Sequence, residues 1–486
     1  MASAGVWMLV AVALVLVVTG LPSWLVLTGV AMVFAAGGAA GGLIPPSLLT
    51  ALPGRLLGLL ENDLLQALPL FVLMGVLLDR LPLAGILFRV GQRALRWTGA
   101  GEALSALSLA ALLAPMNGSV GASALMLGRT VQPRLDANGV PRERSAALVC
   151  VASTLGIVVP PSLVLILLGD AMMRAHTEAV NATRESTRII NTQDVFAGAL
   201  VPALLLFLLT AFVAWRFGRR TARPDGRQRE STRRGEWVLA GCTLAVVVTL
   251  LAGVTFGYLF AVEAAAAGGV ALFAFGLATR SLPLPVVRDV VADTMAISGA
   301  LFALLMAATV FTLVLRAFGT DRWLADIVTG LPEGGALALT LVLAILAVCG
   351  LVLDAFEMIF VVVPIVMPPL LMVVRDATWV SVLTLLILQA SFLIPPFGYA
   401  LLLTRQVQAR PLPLSALTRA LVPYLAAQWL VVALVATLPD LVWQRNPTAL
   451  PAPPAGVGGE DAGRDAMIEQ LNRLDAEQPS ATERGK

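Results

Sequence analysis

Charged residues are scarce in this chain. Asp, Glu, Lys and Arg make up 13% of its 486 residues, whereas 58% are hydrophobic, and the mean hydropathy is +0.88. A soluble domain of this length cannot bury so much apolar surface, so the composition excludes a soluble protein and predicts a polytopic membrane protein. We therefore expect the lipid bilayer as its surroundings and no nucleic acid among its partners.

Histidine and cysteine are almost absent. The single histidine, His176, is predicted to lie in an outer loop, and Cys150, Cys242 and Cys349 sit within apolar runs without metal-ligand spacing. The cysteines are thus interpreted as small core residues without a disulfide or redox role. The sequence also has no HExxH or GxSxG motif. These absences disfavour an enzyme, and we expect no cofactor.

Two proline pairs mark the stretches around which the chain is organised. Pro160-Pro161 lies inside the apolar run Ser145–Gly169, which is long enough to span a bilayer, and a second pair lies within Gln389–Gly398. Proline removes a backbone donor and clashes with the preceding turn, so both stretches are predicted to be broken helices. A single break is also compatible with a packing kink. Two matching breaks favour ion and substrate sites of the kind that secondary transporters build at mid-membrane.

Two pairs of short apolar limbs predict re-entrant hairpins. In the first, the run Ala103–Ala114 is interrupted at Pro115–Gly121 and resumes to Leu127. Neither limb reaches the roughly 20 residues that a full span needs, so we predict a hairpin with Asn117–Ser119 at its tip. A second hairpin is predicted where Gly350–Glu357 interrupts another pair of short limbs.

The second half of the chain repeats the first. Leu73–Arg80 resembles Thr309–Arg316, and the two proline pairs are 235 positions apart. The most basic loop, Arg216–Arg234, is cytoplasmic by the positive-inside rule. Counting spans from it places Asp170–Asp194 and Arg316–Arg322 outside, so the first hairpin opens inward and the second outward. The halves therefore form an inverted repeat, the architecture from which alternating access follows.

The predicted fold is an all-α polytopic membrane protein with inverted repeats, each holding a re-entrant hairpin and a Pro-Pro-broken helix, as in elevator-type ion transporters. Its predicted parts are N-terminal scaffold helices (1–64), a first repeat (65–215), a basic loop with linking helices (216–293), a second repeat (294–410), a last transmembrane helix (411–445) and a disordered polar tail (446–486).

Polar and small residues at the hairpin tips and helix breaks predict a Na⁺ site built from oxygen atoms. The candidate cation-binding residues are Asn117, Gly118, Ser119, Ser153, Thr154, Gly156, Gly350, Asp354, Gln389, Ser391 and Gly398. Half-helix N-termini after each break favour an anionic group such as a substrate carboxylate. The candidate substrate-binding residues are Ser119, Pro160, Ser162, Asp354, Pro395 and Pro396.

Each of these residues also has a plainer interpretation. A serine or threonine can hydrogen-bond back to its own helix. Asp354 is an ionisable group deep in an apolar stretch, which predicts a cation ligand or a titrating group, and Glu357 could instead pair with a partner elsewhere. Arg80 and Arg316 are expected to anchor helix ends at the membrane interface.

These motifs resemble a known family. The segments LMGVLLDR, STLGIVVPPSLVLILLGD (Ser153–Asp170), DVFAGALVPALLL (Asp194–Leu206) and LQASFLIPPFG (Leu388–Gly398), with the first hairpin, resemble the large permease subunit of tripartite ATP-independent periplasmic (TRAP) transporters. The resemblance covers roughly Leu65 to Arg410 and is closest to the branch labelled mannitol/chloroaromatic compound transport. It implies a bacterial inner-membrane, Na⁺-driven importer of a small organic acid that works by an elevator motion.

The resemblance also implies two protein partners, a small four-helix membrane subunit and a periplasmic substrate-binding protein. Because only two spans precede the first repeat, we expect the small subunit to be a separate chain. Two departures weaken the likeness: the hairpin reads Asn117-Gly-Ser where a Ser-Gly-Ser type tip is common, and Ile394 stands where a threonine often precedes the second proline pair. The alternative is a free-standing Na⁺- or H⁺-coupled carboxylate carrier that needs no binding protein.

Overall fold

The apolar stretches of the sequence form helices, and the described residues contain no strand. The computed structural model describes residues 2–45, 50–61, 63–117, 120–184, 188–219, 234–331, 335–407 and 412–442. Within them, seven helices are long and apolar enough to cross a membrane, or nine if each of two bent helix pairs counts as one span. The chain is thus a multi-pass membrane protein, as the composition predicts.

The helices described up to residue 219 belong to the N-terminal scaffold and the first repeat. They are α1 (Ala2–Thr19), α2 (Ser23–Ala40), α3 (Leu52–Leu60), α4 (Asp63–Arg80), α5 (Leu83–Ala94), α6 (Gly101–Asn117), α7 (Val120–Thr130), α8 (Gln132–Ala137), α9 (Arg142–Val158), α10 (Leu163–Thr183) and α11 (Thr192–Gly218), with a 3₁₀ turn at Arg96–Thr98.

The helices described from residue 234 onward form the linking region and the second repeat. They are α12 (Arg234–Thr255), α13 (Ala261–Ala278), α14 (Leu284–Ala317), α15 (Thr320–Thr329), α16 (Ala336–Cys349), α17 (Ala355–Glu357), α18 (Val363–Val373), α19 (Ala377–Ser391), α20 (Tyr399–Val407) and α21 (Leu414–Thr437), with a π-helical turn at Met358–Val362 and a 3₁₀ turn at Pro439–Leu441.

The inverted repeat is visible in the order of the helices. Helices α6 and α7 form the limbs of the first hairpin, and α16 with α17 and α18 those of the second. Helices α9 and α10 form the first broken helix, whereas α19 and α20 form the second. The halves diverge after the breaks, because α10 has 21 residues and α20 only 9.

The long helix α14 packs along α2 and α4 and joins the two repeats. Arg80 at the end of α4 donates to Asp293 Oδ2 on α14 across 2.6 Å, and the repeat-related Arg316 at the end of α14 donates to Glu178 Oε2 on α10 across 2.8 Å. Both arginines therefore sit at helix ends, as expected, and each is tied to another helix by an ion pair.

Contacts between helix ends agree with the predicted sidedness. Trp215 Nε1, at the predicted cytoplasmic end of α11, donates to Thr98 O across 3.1 Å. At the opposite end, Trp379 Nε1 donates to Val435 O across 2.7 Å. Each contact joins segments that the counting of spans assigns to the same side of the membrane.

One expectation about local structure is wrong. His176 lies in α10 rather than in a loop and is buried, with Nδ1 accepting a hydrogen bond from Ile190 N. Helix α10 continues past the apolar run because Ala175, His176 and Ala179 keep one face buried at helical spacing. The limbs of the first hairpin separate within the predicted interruption Pro115–Gly121, since α6 continues through Pro115 to Asn117 and α7 begins at Val120.

The boundaries of the six predicted parts stay predictions. The described chain ends at Val442, so the predicted tail, 446–486, lies outside the described residues.

Candidate functional site

One serine forms hydrogen bonds to both sides of the first helix break. Helix α9 ends at Val158 and α10 begins at Leu163, with an angle of 43° between them. Ser162 accepts a hydrogen bond from Leu165 N at 3.1 Å and donates one to Ile157 O at 2.9 Å. Ser162 therefore caps the second half-helix and satisfies a carbonyl that the break releases from the first.

The hydroxyls of the last turns of α9 bond back to their own helix. Ser153 Oγ donates to Cys150 O and Thr154 Oγ1 donates to Val151 O, each at 2.8 Å. Both side chains are buried, as is Gly156 one turn from the break. The hydroxyl protons thus bond back to their own helix, as the plainer interpretation predicted. The hydroxyl oxygens keep lone pairs that can accept a hydrogen bond or bind a cation.

The two repeats touch through equivalent residues. Gln389 Nε2 on α19 donates to Thr154 Oγ1 on α9 at 3.3 Å, and these positions are separated by 235, the shift that relates the proline pairs. Gln389 is only 1% exposed, and its Oε1 has no hydrogen-bond partner in the described part of the chain. A buried oxygen without a donor is uncommon, and it offers a free acceptor to a cation or a water molecule.

The second hairpin presses against the second broken helix. Gly350 follows α16, and a Cβ atom there would lie 2.2 Å from Ser391 Oγ and 2.9 Å from Ser391 Cβ. Ser391 Oγ donates to Leu388 O at 2.7 Å. Gly398 follows the proline pair, and its Cβ would lie 2.5 Å from Phe392 O. Glycine is needed at both positions because the backbone approaches its neighbours so closely.

The two breaks differ in their burial. Pro160 is buried, whereas Pro395 is partly exposed and Pro396 and Phe397 are exposed. Both Pro–Pro peptide bonds are cis. The structure therefore brings only the first break fully into the protein interior.

Asp354 and Glu357 form a reciprocal cap at the start of α17. Asp354 Oδ1 accepts hydrogen bonds from Phe356 N and Glu357 N, both at 2.9 Å, and Glu357 Oε2 accepts one from Asp354 N at 3.1 Å. Glu357 Oε1 accepts a hydrogen bond from Ser23 Oγ on α2. Glu357 therefore has a partner elsewhere, which was one of its two interpretations, and the capping role of Asp354 leaves Oδ2 available.

Two residues near these carboxylates were not among the candidates. Tyr399 begins α20 and lies within electrostatic reach of Asp354 and Glu357, and Ser23 begins α2. Their only sequence signals are positional, since each is the first residue of a helix that follows a proline-containing turn.

The tip of the first hairpin lies largely outside the described residues. Asn117 is the last residue of α6, and α7 starts at Val120. Gly118 and Ser119 fall between the described ranges, so their assignment to the site stays a prediction.

A cavity of about 400 Å³ lies between α3, α10, α14 and the second limb of hairpin 2. Arg55, Arg174 and Arg316 line it together with Asp170 and Glu178. Arg174 Nε lies 3.0 Å from Asp170 Oδ2. The basic groups thus outnumber the acidic ones. The sequence alone did not single out this cavity, because it is formed by segments that are distant along the chain.

The cavity penetrates the protein along α14. Its lining residues on this helix run from Arg316 to Leu305, a distance of about 16 Å along the helix axis. Phe360 and Pro364 of the second hairpin also line it. The arrangement is an open, basic cavity that leads from a predicted outer helix end toward a hairpin.

Comparisons with known proteins identify relatives of the whole fold. The family model described as tripartite ATP-independent periplasmic transporter, DctM component, matches residues 9–441. The chain is 26% identical over 404 residues to the C4-dicarboxylate TRAP transporter large permease protein DctM of Pseudomonas aeruginosa, covering 81% of this chain and 87% of the relative. It is 25% identical over 394 residues to the sialic acid TRAP transporter large permease protein SiaM of Vibrio cholerae, covering 79% and 87%.

Solved structures share the fold at low sequence identity. The YdaH transporter of Alcanivorax borkumensis superposes with a TM-score of 0.59 at 16% identity, covering 83% of this chain and 90% of that one. MtrF of Neisseria gonorrhoeae, described as illuminating a class of antimetabolite efflux pumps, gives 0.51 at 15% identity, covering 80% and 83%. The all-helical transporter architecture is therefore confirmed.

Proposed function

This chain belongs to the DctM component family of tripartite ATP-independent periplasmic (TRAP) transporters, and from that membership we propose that it couples the entry of Na⁺ to the import of a small organic acid. It is the large permease subunit of a TRAP transporter for organic acids rather than an enzyme. The proposed location is the bacterial inner membrane. The proposed partners are a small four-helix membrane subunit and a periplasmic binding protein that delivers the acid.

The contact between Thr154 and Gln389 is the observation that carries the Na⁺ proposal. It places a buried, unpartnered amide oxygen beside a threonine hydroxyl, at the point where the two broken helices meet. Na⁺ is bound in such transporters by oxygen atoms of unwound segments and half-helix ends. Gln389, Thr154 and nearby Ser153 would supply side-chain oxygens, and Asp354 Oδ2 would supply a charged one at the second hairpin.

The basic cavity supports an acid as the cargo. A carboxylate entering from the predicted outer side meets Arg55 beside the paired Arg174 and Arg316. The side chain of Arg55 makes no ion pair or hydrogen bond in the described part of the chain. Arginine holds carboxylates with strong, often bidentate hydrogen bonds. We propose that the acid passes through this cavity toward the hairpins and the half-helix that Ser162 caps.

The inverted repeat supports an elevator motion. We propose that the hairpins and broken helices move as one body against α2, α4 and α14. The ion pair between Glu178 on α10 and Arg316 on α14 joins these two groups of helices, so it would break in each transport cycle. Discrete contacts of this kind switch between two arrangements during rigid-body transitions.

The mannitol/chloroaromatic branch stays a prediction. The relatives compared above carry names for C4-dicarboxylates and sialic acid, so the proposal for this chain is an organic acid without a narrower class.

Uptake into proteoliposomes tests the proposal. The vesicles would hold this subunit and its small partner, and labelled 2-oxo acids, lactate and dicarboxylates would be supplied with or without the binding protein and an inward Na⁺ gradient. We expect uptake that requires both. Uptake without the binding protein would favour the free-standing carrier, whose fold is the one shared with YdaH and MtrF. Uptake driven only by a pH gradient would overturn Na⁺ coupling.

A further inference from the structure

A second cavity, of about 300 Å³, lies where the start of α9, the end of α11 and the start of α21 meet. Its lining residues are Glu143, Arg144, Phe217, Ala416, Arg419, Ala420 and Tyr424. All three helix ends are on the side predicted to be cytoplasmic, and none of these residues belongs to the transport site. We propose that this cavity binds the phosphate of an anionic membrane lipid.

Two guanidinium groups give the cavity its charge. Arg144 lies over the ring of Phe217, with its Cζ 5.2 Å from the ring centroid, so the aromatic wall holds it in place. Arg419 is exposed, and its side chain makes no ion pair or hydrogen bond with any residue the structure describes. Glu143 contributes one carboxylate, which leaves the lining with a net positive charge suited to an anion.

Tyr424 supplies a hydroxyl group to the lining of the cavity. It is 5% exposed, and its hydroxyl makes no hydrogen bond within the described ranges, although buried tyrosine hydroxyls usually find a partner. Arg144 lines the same cavity. A phosphate oxygen placed between Arg144 and Tyr424 would complete the hydrogen bonding of both.

The surroundings favour a lipid over a free phosphate. On α11, Leu204, Leu208 and Phe212 are each more than half exposed and recur at four-residue spacing, which marks a face toward lipid tails. Val422 on α21 is likewise exposed. The cavity therefore opens beside helix faces along which acyl chains can pack. Basic pockets between membrane helices on the cytoplasmic side bind anionic lipid headgroups. No side chain caps the N-terminus of α21, which follows Pro413. The positive end of the α21 dipole therefore also remains available to the anion.

Lipid titration of the delipidated full chain in detergent tests this assignment, with binding followed by native mass spectrometry. The probes are dioleoylphosphatidylglycerol, dioleoylphosphatidylcholine as the zwitterionic lipid, and inorganic phosphate and glycerol phosphate as free anions. We expect phosphatidylglycerol to bind at least about tenfold more tightly than phosphatidylcholine, because two arginines face its phosphate and it lacks a compensating cation. Equal binding of the two lipids would overturn the proposal, and a free phosphate that binds as tightly as the lipid would overturn the lipid as ligand.

Variants locate the site. The double variant Arg144→Gln/Arg419→Gln should lose about tenfold or more in phosphatidylglycerol affinity, whereas Arg288→Gln, which removes an exposed arginine from the same predicted side outside the cavity, should change it less than about twofold. Tyr424→Phe keeps the ring and removes only the hydroxyl, so it tests the site even if the arginine variants do not fold. Unchanged phosphatidylglycerol affinity in a folded double variant would refute the assignment, and so would unchanged affinity in Tyr424→Phe if the double variant does not fold.

Discussion

The contact between the repeats gives the sharpest prediction, which is made with Thr154→Val. Valine keeps the branched shape but removes the hydroxyl that accepts the 3.3 Å hydrogen bond from Gln389 Nε2. Gln389 is then left buried with neither end of its amide paired, because Oε1 already has no partner in the described chain. Leaving one partner of a buried hydrogen bond unsatisfied costs about 1–3 kcal/mol.

If Na⁺ is held at this contact, the variant also removes an oxygen ligand of the ion, and we expect the loss in Na⁺ affinity to be of similar size. A coupling of about 1–3 kcal/mol corresponds to a change of about 5- to 150-fold, so the external Na⁺ concentration for half-maximal uptake should rise by that factor. The assay is the initial rate of acid uptake into proteoliposomes over a series of Na⁺ concentrations, at a fixed concentration of loaded binding protein.

Thr210→Val is the matched control. Thr210 is also a buried helical threonine, on α11, and its hydroxyl donates to Leu206 O at 2.8 Å within its own helix. The same deletion there should leave half-saturating Na⁺ within about twofold of the wild-type value, because only a local hydrogen bond is lost. A folded Thr154→Val permease with the wild-type Na⁺ dependence would refute the placement of the ion between the repeats.

Three further variants test the packing of the site. Gly350→Ala places a Cβ 2.2 Å from Ser391 Oγ, so it should cost about 1–3 kcal/mol by overpacking, seen as a lower melting temperature and slower uptake. Arg316→Gln breaks the half-exposed pair with Glu178; stability should change by about 0–1 kcal/mol, while the uptake rate changes more, because the pair joins the two bodies. Ser162→Ala should cost about 0.5–2 kcal/mol through the lost cap, measured as a lower melting temperature.

Each of these three variants has its own control. Ser391→Gly removes the two side-chain atoms that the added methyl meets and leaves the Leu346 carbonyl oxygen, so it should restore part of the loss in Gly350→Ala; no restoration would mean that the methyl disturbs something else. Glu178→Gln should reproduce the rate change of Arg316→Gln, and an unchanged rate in both would contradict the breaking of this pair in transport. For Ser162→Ala, Ser162→Thr is the conservative control, and it should retain most of the stability because threonine also caps helices.

The breaks and hairpins could be predicted from the sequence because their causes are local. The proline pair at Pro160 breaks the helical turn that precedes it. The apolar limbs around Gly350 have fewer residues than a helix needs to cross a bilayer. The same rule has a limit, since Pro368 and Pro369 lie inside α18 without ending it. A π-helical turn at Met358–Val362 directly precedes α18.

The partners of the site residues could not be predicted, because they come from distant parts of the chain. Ser23 reaches Glu357 across 334 positions, and no periodicity links two such residues. The contact of Gln389 with Thr154 is a partial exception, since the repeat shift makes them equivalent, but equivalence does not imply that they touch. Arg55 lines the cavity of about 400 Å³ only because α3 lies against α14.

The most direct test of the central claim, that this permease couples acid entry to Na⁺ entry, is a measurement of radioactive Na⁺ flux. Proteoliposomes with equal Na⁺ on both sides would receive the acid and the binding protein outside, with voltage and pH clamped. Coupling predicts that acid entry draws labelled Na⁺ inward, and that Thr154→Val weakens this flux at low Na⁺. Acid uptake without Na⁺ entry would contradict the account.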